Sequence, residues 1–327
     1  MTKRNVLVIR GLVIRGLAVR GRPVEHHACF LLLGALSLIL LWAPLTMLVK
    51  LSLQDERYSH ILIVPMISLA FLYVERKKIF FGLHFSPLRS APLLALGITA
   101  FSIAGASSSL DQSLRLSLTV CALISTWLAA FVFCYGVRCF RAALFPLLFL
   151  ALMIPVPIAA LDYVVYLLQK GSAAVAYVLF KLLGVPVFWS GGFKFALPGV
   201  EIEIAKECSG IRSTTALFIT GILASHVFLR SGWRKILLSL LTIPIAIFRN
   251  AVRIVTISWL GVYVDQGFLF GKLHRYGGVP FALISLAILG PALWILQRTE
   301  AKSRNRKGRE MSDQTYNEGT AVLESRP

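Results

Sequence analysis

Eight apolar runs set the terms on which this chain folds: Ala28–Val49, Ser59–Val74, Ala91–Leu110, Leu116–Val137, Ala142–Leu161, Ile211–Leu229, Ile236–Val264 and Val279–Gln297. A helix needs about 20 consecutive apolar residues to cross the hydrocarbon core of a bilayer, and most of these runs are of that order. Hydrophobic residues make up 57% of the 327 and charged residues only 15%. A soluble core of this size cannot hide so much apolar surface. The expected fold class is an all-α polytopic membrane protein with about eight transmembrane helices. Ser59–Val74 is short for a span, and Ile236–Val264 is long and polar in its middle. A further segment, Val164–Leu182, carries Gln169, Lys170, Gly171 and Lys181 and reads as interfacial or re-entrant rather than spanning.

The formal net charge of +19 raises the question of nucleic acid, and its distribution answers it. With the N-terminus in the cytoplasm, 22 of the 34 Lys and Arg fall in the inner segments, among them the cluster Arg76-Lys77-Lys78 and the pair Arg234-Lys235. That asymmetry is the signature of a membrane protein with both termini inside. Basic tails beside anionic lipid account for the excess, so membrane lipid is an expected partner and nucleic acid is not. The expected location is the inner (plasma) membrane.

Residues 1–27 form a basic tail built on a short repeat, Val8-Ile9-Arg10-Gly11-Leu12, then Val13-Ile14-Arg15-Gly16-Leu17, then Ala18-Val19-Arg20-Gly21. A five-residue period sets successive arginines about 140° apart on a helix, which gives no amphipathic face. No signal-peptide cleavage pattern precedes the first span, which is expected to stay as an anchor. The transmembrane domain is expected over 28–297 and a cytoplasmic tail without stable structure over 298–327.

The longest outer segment, 162–208, ends in a pattern of its own. Val185-Pro186-Val187-Phe188-Trp189 is followed by the turn Ser190-Gly191-Gly192, by Phe193-Lys194-Phe195-Ala196-Leu197, by the turn Pro198-Gly199, and by the alternating Val200-Glu201-Ile202-Glu203-Ile204. Period-2 alternation bounded by Gly and Pro predicts a small β-hairpin, whose edge is open to strand addition by an extended peptide. The hairpin leads into Glu207-Cys208-Ser209-Gly210-Ile211-Arg212-Ser213, where a polar stretch gives way to the sixth apolar run. A thiol at a helix N-terminus feels unpaired N–H groups and the positive end of the helix dipole, and both favour the reactive thiolate. Four residues on, Arg212 is expected on the same helical face as the sulfur. The alternative is a small buried residue, the commonest role of free cysteine. The other cysteines, at 29, 121, 134 and 139, lie in or beside spans, and the five show no CxxC and no metal-binding spacing. No cofactor or metal is expected.

The seventh run holds the costliest residues of the chain. Arg249 and Arg253 stand at i and i+4, with Asn250 three residues before Arg253, so the three share one side of a helix. Charges within a span face a protein interior or a water-filled cavity, and that run contains no Asp or Glu. Between the last two runs, the outer loop Phe268–Gly278 contains His274. Cysteine, arginine and histidine thus converge on one side from three parts of the chain. A thiolate, an imidazole and a fixed cation supply nucleophile, proton carrier and oxyanion partner for acyl transfer. Another histidine, His60, sits in the first outer loop and reads as an interfacial anchor. HExxH and GxSxG motifs are absent, which argues against intramembrane zinc or serine chemistry.

These residues resemble the exosortase/archaeosortase family of polytopic transpeptidases. The resemblance rests on the cysteine motif, on Asn250-Ala251-Val252-Arg253-Ile254, and on His274 with Gly277-Gly278 and Phe281. Tyr58-Ser59-His60, the stretch from Phe145-Pro146 to Pro157 and Leu197-Pro198-Gly199-Val200 add to it. It implies an eight-span enzyme whose site faces away from the cytoplasm. The substrates it implies are secreted proteins with a C-terminal sorting signal: a short motif such as Pro-Glu-Pro, a transmembrane helix and a basic tail. Cleavage would run through a thioester, with the acyl group passed to an unidentified acceptor, and the resemblance carries a link to exopolysaccharide export. By the same resemblance Cys208 is the nucleophile, Arg253 the arginine and His274 the histidine, with Arg249, Asn250, Ser209, Gly210 and Arg212 in support. The rival reading is a transporter or lipid-handling protein in which Arg249, Asn250 and Arg253 bind an anionic substrate; the two halves of the chain show no similarity that would support it.

The charge asymmetry makes a direct prediction. Reporter fusions after Lys78, Arg141, Arg234 and Arg309 should read cytoplasmic, and fusions near Asp111, Lys194 and Gly271 external. An external C-terminus would separate the faces carrying Cys208 and His274 and remove the convergence.

Overall fold

The computed structural model describes residues 23–106, 110–189, 191–205, 209–270 and 278–324. The protein is an all-α polytopic membrane protein with one small two-stranded sheet. Among the described residues seven helices are long and apolar enough to cross a membrane, or eight if one bent pair counts as a span. The chain divides into two compact units, up to Ile158 and from Ala159.

In the first unit, the run expected over Ala28–Val49 is two helices, α1 (Pro23–Leu40) and α2 (Trp42–Gln54), bent by 77°. Pro44 sits in the first turn of α2, where its missing N–H costs nothing while its ring crowds the carbonyl of Leu40 and stops α1 from running on. Next comes a 3₁₀ turn over Glu56–Leu62, leading into α3 (Ile63–Val74). Together they give the short second run 19 residues. Asp55 caps that turn, accepting from the backbone N–H of Arg57 at 2.9 Å. The side-chain hydrogen bonds from Arg57 hold the Asp55 carboxyl below its usual range. A single turn, α4 (Arg76–Ile79), precedes α5 (Pro87–Ala106), which packs along the mostly buried α6 (Gln112–Ala142). Gly97 allows that approach, since a Cβ there would lie 3.0 Å from Thr126 Oγ1.

The fifth run corrects the expectation of a single span, while its end, Ile154-Pro155-Val156-Pro157, is extended as its prolines lead one to expect. Ala142–Leu161 is not one helix: it breaks into α7 (Leu144–Phe149), a 3₁₀ turn over Leu150–Met153 and an extended exit at Ile154. Pro155 and Pro157 push the residues before them out of the helical region. The carbonyls of this broken stretch find hydroxyl partners: Ser68 Oγ donates to Pro146 at 2.7 Å, Ser117 Oγ to Pro155 at 2.6 Å and Tyr58 Oη to Val156 at 2.8 Å. Irregular backbone in an apolar setting survives only with such internal partners.

The segment expected to be interfacial, Val164–Leu182, belongs to a continuous helix, α8 (Ile158–Leu182), of 25 residues, long and apolar enough to cross. Its polar residues do not break it, because Gln169 is buried and hydrogen-bonded to the carbonyl of Ile204 at 2.9 Å. The expected hairpin is present: β1 (Lys194–Leu197) pairs antiparallel with β2 (Val200–Glu203), Lys194 opposite Glu203 and Leu197 opposite Val200. Its turn is Pro198-Gly199, with Gly199 at φ +77, the residue order of a type II turn. Phe188 adds a bridge on the far side of β1, exchanging two 3.0 Å hydrogen bonds with Ala196. Phe195, Leu197 and Ile204 bury the hairpin against Ala173, Ala176 and Phe180 of α8.

Helices α9 (Ile211–Phe228) and α10 (Gly232–Tyr263) then form an antiparallel pair. They close up where Gly221 meets Thr242, a small-residue contact of the kind that brings membrane helices together. After the turn α11 (Gly267–Phe270), the chain ends in α12 (Gly278–Glu324), whose Leu289 and Leu296 join the core with Leu217, Leu238 and Ile245. Glu300 ties α12 to the turn between α9 and α10, accepting from the backbone N–H of Arg230 at 3.1 Å and Ser231 at 2.6 Å. Beyond the apolar run, α12 continues as helix through most of the tail expected to lack stable structure.

Candidate functional site

The start of α9 is where the candidate residues meet. Gly210 is the N-cap, at φ 73 and ψ 16, in the left-handed region. Its carbonyl accepts the Thr214 N–H at 2.8 Å and the Thr214 hydroxyl at 2.8 Å, which opens the helix. Ser209 is 1% exposed. A Cβ on Gly210 would lie 3.0 Å from Asn250 Oδ1 and 3.1 Å from Arg249 Nη2. Glycine is therefore required twice over, by its backbone conformation and by the two polar heads against it.

On α10, Arg249 and Asn250 are 3% and 1% exposed. Asn250 Nδ2 donates to Ser172 Oγ of α8 at 3.1 Å. Arg253 stands one turn further along the same helix and is half-buried. The i, i+3, i+4 spacing does place the three on one helix, and α10 contains no carboxylate. Arg249, sealed from solvent, and the half-buried Arg253 put two positive charges one turn apart, a setting that attracts an anion such as a thiolate or an oxyanion.

Of the eight residues singled out in the sequence, Gly210, Arg249 and Asn250 come together, Ser209 is buried immediately before Gly210, and Arg253 lies one turn further along α10. Arg212 is exposed in the first turn of α9. The helix begins at Ile211, after the left-handed Gly210, and the expected alignment of Arg212 with the sulfur involves a residue outside the described ones. Cys208 and His274 lie outside the described residues. Sequence reasoning missed Gln169 and Ser172, both buried on α8. Their signal was there: two polar residues three apart in an apolar run share a helix face, and polar residues inside a span usually have a task. A cavity of about 790 Å³ in the first unit, with Lys50, Arg57 and Arg115 in its wall, contains none of the expected site residues.

The family model described as transmembrane exosortase (Exosortase_EpsH) matches residues 52–290. That range takes in the cysteine motif, α10 with its arginines, and His274. Comparison with curated proteins and with solved structures finds no match.

The contact at Gly210 is testable with an internal control. Gly210→Ala should destabilise the protein by about 1–2 kcal/mol from the left-handed backbone alone, with a further loss from displacing Arg249 and Asn250. Gly34→Ala, in a helix with open space around it, should be neutral or stabilising by up to about 1 kcal/mol. Thermal unfolding of both variants in detergent checks this; equal midpoints would mean that Gly210 does not press on α10.

Proposed function

The chain belongs to the transmembrane exosortase family, and from that premise we propose that it is a membrane cysteine transpeptidase that cleaves C-terminal sorting signals of secreted proteins. The family is one of membrane cysteine transpeptidases. The observation that carries the reading to this chain's residues is the packing of Gly210, two residues after Cys208, against Arg249 and Asn250.

The chemistry follows from those groups. The Cys208 thiolate attacks the scissile carbonyl carbon, and the oxyanion that forms is met by Arg253. As the C–N bond breaks, His274 gives a proton to the leaving amine, and the acyl group stays on sulfur as a thioester. Water or another nucleophile then gives its proton to His274 as it attacks the thioester, which releases the acyl group and returns the thiolate. Arg253 is assigned to the oxyanion because it is only half-buried, whereas Arg249 is sealed behind Gly210 and holds that turn in place.

The length of α10 supports a site at one membrane surface. With Trp233, exposed, as an interfacial anchor beside Arg234 and Lys235 on the cytoplasmic face, Arg249 lies about 24 Å and Arg253 about 30 Å along the helix at 1.5 Å per residue. A hydrocarbon core is about 30 Å thick, so Arg253 reaches its far boundary and Arg249 lies one turn short of it, well beyond the mid-plane. The substrates fitting such a site are secreted proteins tethered by a C-terminal helix, with a motif such as Pro-Glu-Pro presented just outside the inner membrane. Exopolysaccharide export is the proposed physiological setting.

Cys208→Ala should insert and accumulate normally yet abolish cleavage of a co-expressed substrate, and Cys208→Ser should be nearly as damaging. Arg253→Lys should lose roughly 10²–10³-fold, because an ammonium does not reproduce the planar fork, while Arg249→Lys should be milder. Immunoblot of substrate processing reads all four. Full cleavage by Cys208→Ala would end the protease reading, and an inactive Arg249→Lys beside a near-normal Arg253→Lys would exchange the two arginines.

A further inference from the structure

We infer that Gln169 and Ser172 of α8 are positioning residues that hold the cysteine segment at its two ends. The inference rests on the transpeptidase reading above and extends it to a helix outside the family-like motifs quoted for this chain.

Gln169 Nε2 donates to the carbonyl of Ile204 at 2.9 Å. Ser172 Oγ accepts from Asn250 Nδ2 at 3.1 Å, and Asn250 in turn bears on Gly210. Both side chains are sealed, Gln169 4% and Ser172 0% exposed. At i and i+3 they are neighbours on one face of α8, about 5–6 Å apart at Cβ. Ile204 and Gly210, the residues they control, bracket a short stretch containing Cys208. The entry to that stretch is thus fixed directly and its exit through Asn250, from adjacent places on one helix.

A polar side chain inside an apolar helix costs free energy unless it is paired, and here each one is paired with a group that leads to the nucleophile. Packing alone does not explain the choice. The neighbouring buried positions of the same face, Ala173 and Ala176, are small and apolar and fill the interface with the hairpin and α10 without polar atoms. Gln169 and Ser172 add direction. They set the height of Ile204 above α8 and the orientation of the Asn250 amide. Misplacing a nucleophile by about 1 Å costs on the order of 10²-fold, which is the scale such anchors protect.

The test uses the full-length enzyme in detergent or nanodiscs with a sorting-signal substrate. Gln169→Met fills the same space without a donor, Ser172→Ala removes the acceptor, and Gln169→Glu restores a side chain of the same size able to hydrogen-bond when protonated. Expected for the first two are a roughly 10–100-fold lower kcat with KM near wild type, and a Cys208 alkylation profile, read peptide by peptide in a mass spectrometer, displaced in pH. Gln169→Glu should recover part of both. Wild-type kcat and an unmoved Cys208 profile in Gln169→Met and Ser172→Ala would overturn the inference, as would failure of both variants to accumulate, which would assign the pair to folding alone. Cys208→Ala run in parallel separates the two questions. If it retains cleavage, the transpeptidase reading has failed; if it is inactive while Gln169→Met is not, only the positioning role has.

Discussion

The second unit is organised around the cost of burying Arg249 and Asn250 in a helix without carboxylates. Charges inside an apolar helix survive by facing other polar groups, and each surrounding element supplies one. The start of α9 offers the backbone of Gly210, with no Cβ in the way. From α8 comes the Ser172 hydroxyl, bonded to Asn250. The close passage of Gly221 against Thr242 lets α9 approach α10 near enough for the first of these contacts. The hairpin covers α8 and the C-terminal half of α10 with Phe195, Leu197 and Ile204. Take away the polar pair on α10, and neither the left-handed turn at Gly210 nor the buried serine on α8 has a reason to exist.

The first unit solves the complementary problem, in which the backbone rather than a side chain is the polar liability. Prolines at 146, 155 and 157 interrupt helical hydrogen bonding. Ser68, Ser117 and Tyr58 bring hydroxyls to the carbonyls near those breaks. Each such bond is worth only about 1 kcal/mol net, but leaving the carbonyl without one costs about 1–3 kcal/mol. These hydroxyls are therefore as much a part of the fold as the apolar surface around them.

Much of this was legible in the sequence, for reasons that can be named. Apolar run length gave the class of fold, period-2 alternation around Pro198-Gly199 gave the hairpin, and i, i+3, i+4 spacing put Arg249, Asn250 and Arg253 on one helix. What escaped was anything depending on whether a polar residue had a partner. Gln169, Lys170, Gly171 and Lys181 make Val164–Leu182 read as interfacial or re-entrant; bonded to Ile204, Gln169 costs little, and α8 is long and apolar enough to cross. The extended exit at Ile154-Pro155-Val156-Pro157 was legible from its two prolines; the break between α7 and the 3₁₀ turn within Ala142–Leu161, an apolar run of span length, was not. Pro44 could have announced the bend after Leu40, since its ring is incompatible with a helix continuing from the residues before it.

The central claim is that Cys208 carries the substrate's acyl group beside the arginines of α10. Rapid quenching of the enzyme with a sorting-signal peptide, followed by mass spectrometry of its cysteine-containing fragments, measures this directly. The account predicts an adduct on the Cys208 peptide alone, equal in mass to the acyl part of the substrate, released by hydroxylamine and replaced by free thiol as turnover ends. Turnover without any adduct on that peptide, or an adduct on Cys29, Cys121, Cys134 or Cys139 instead, would contradict it.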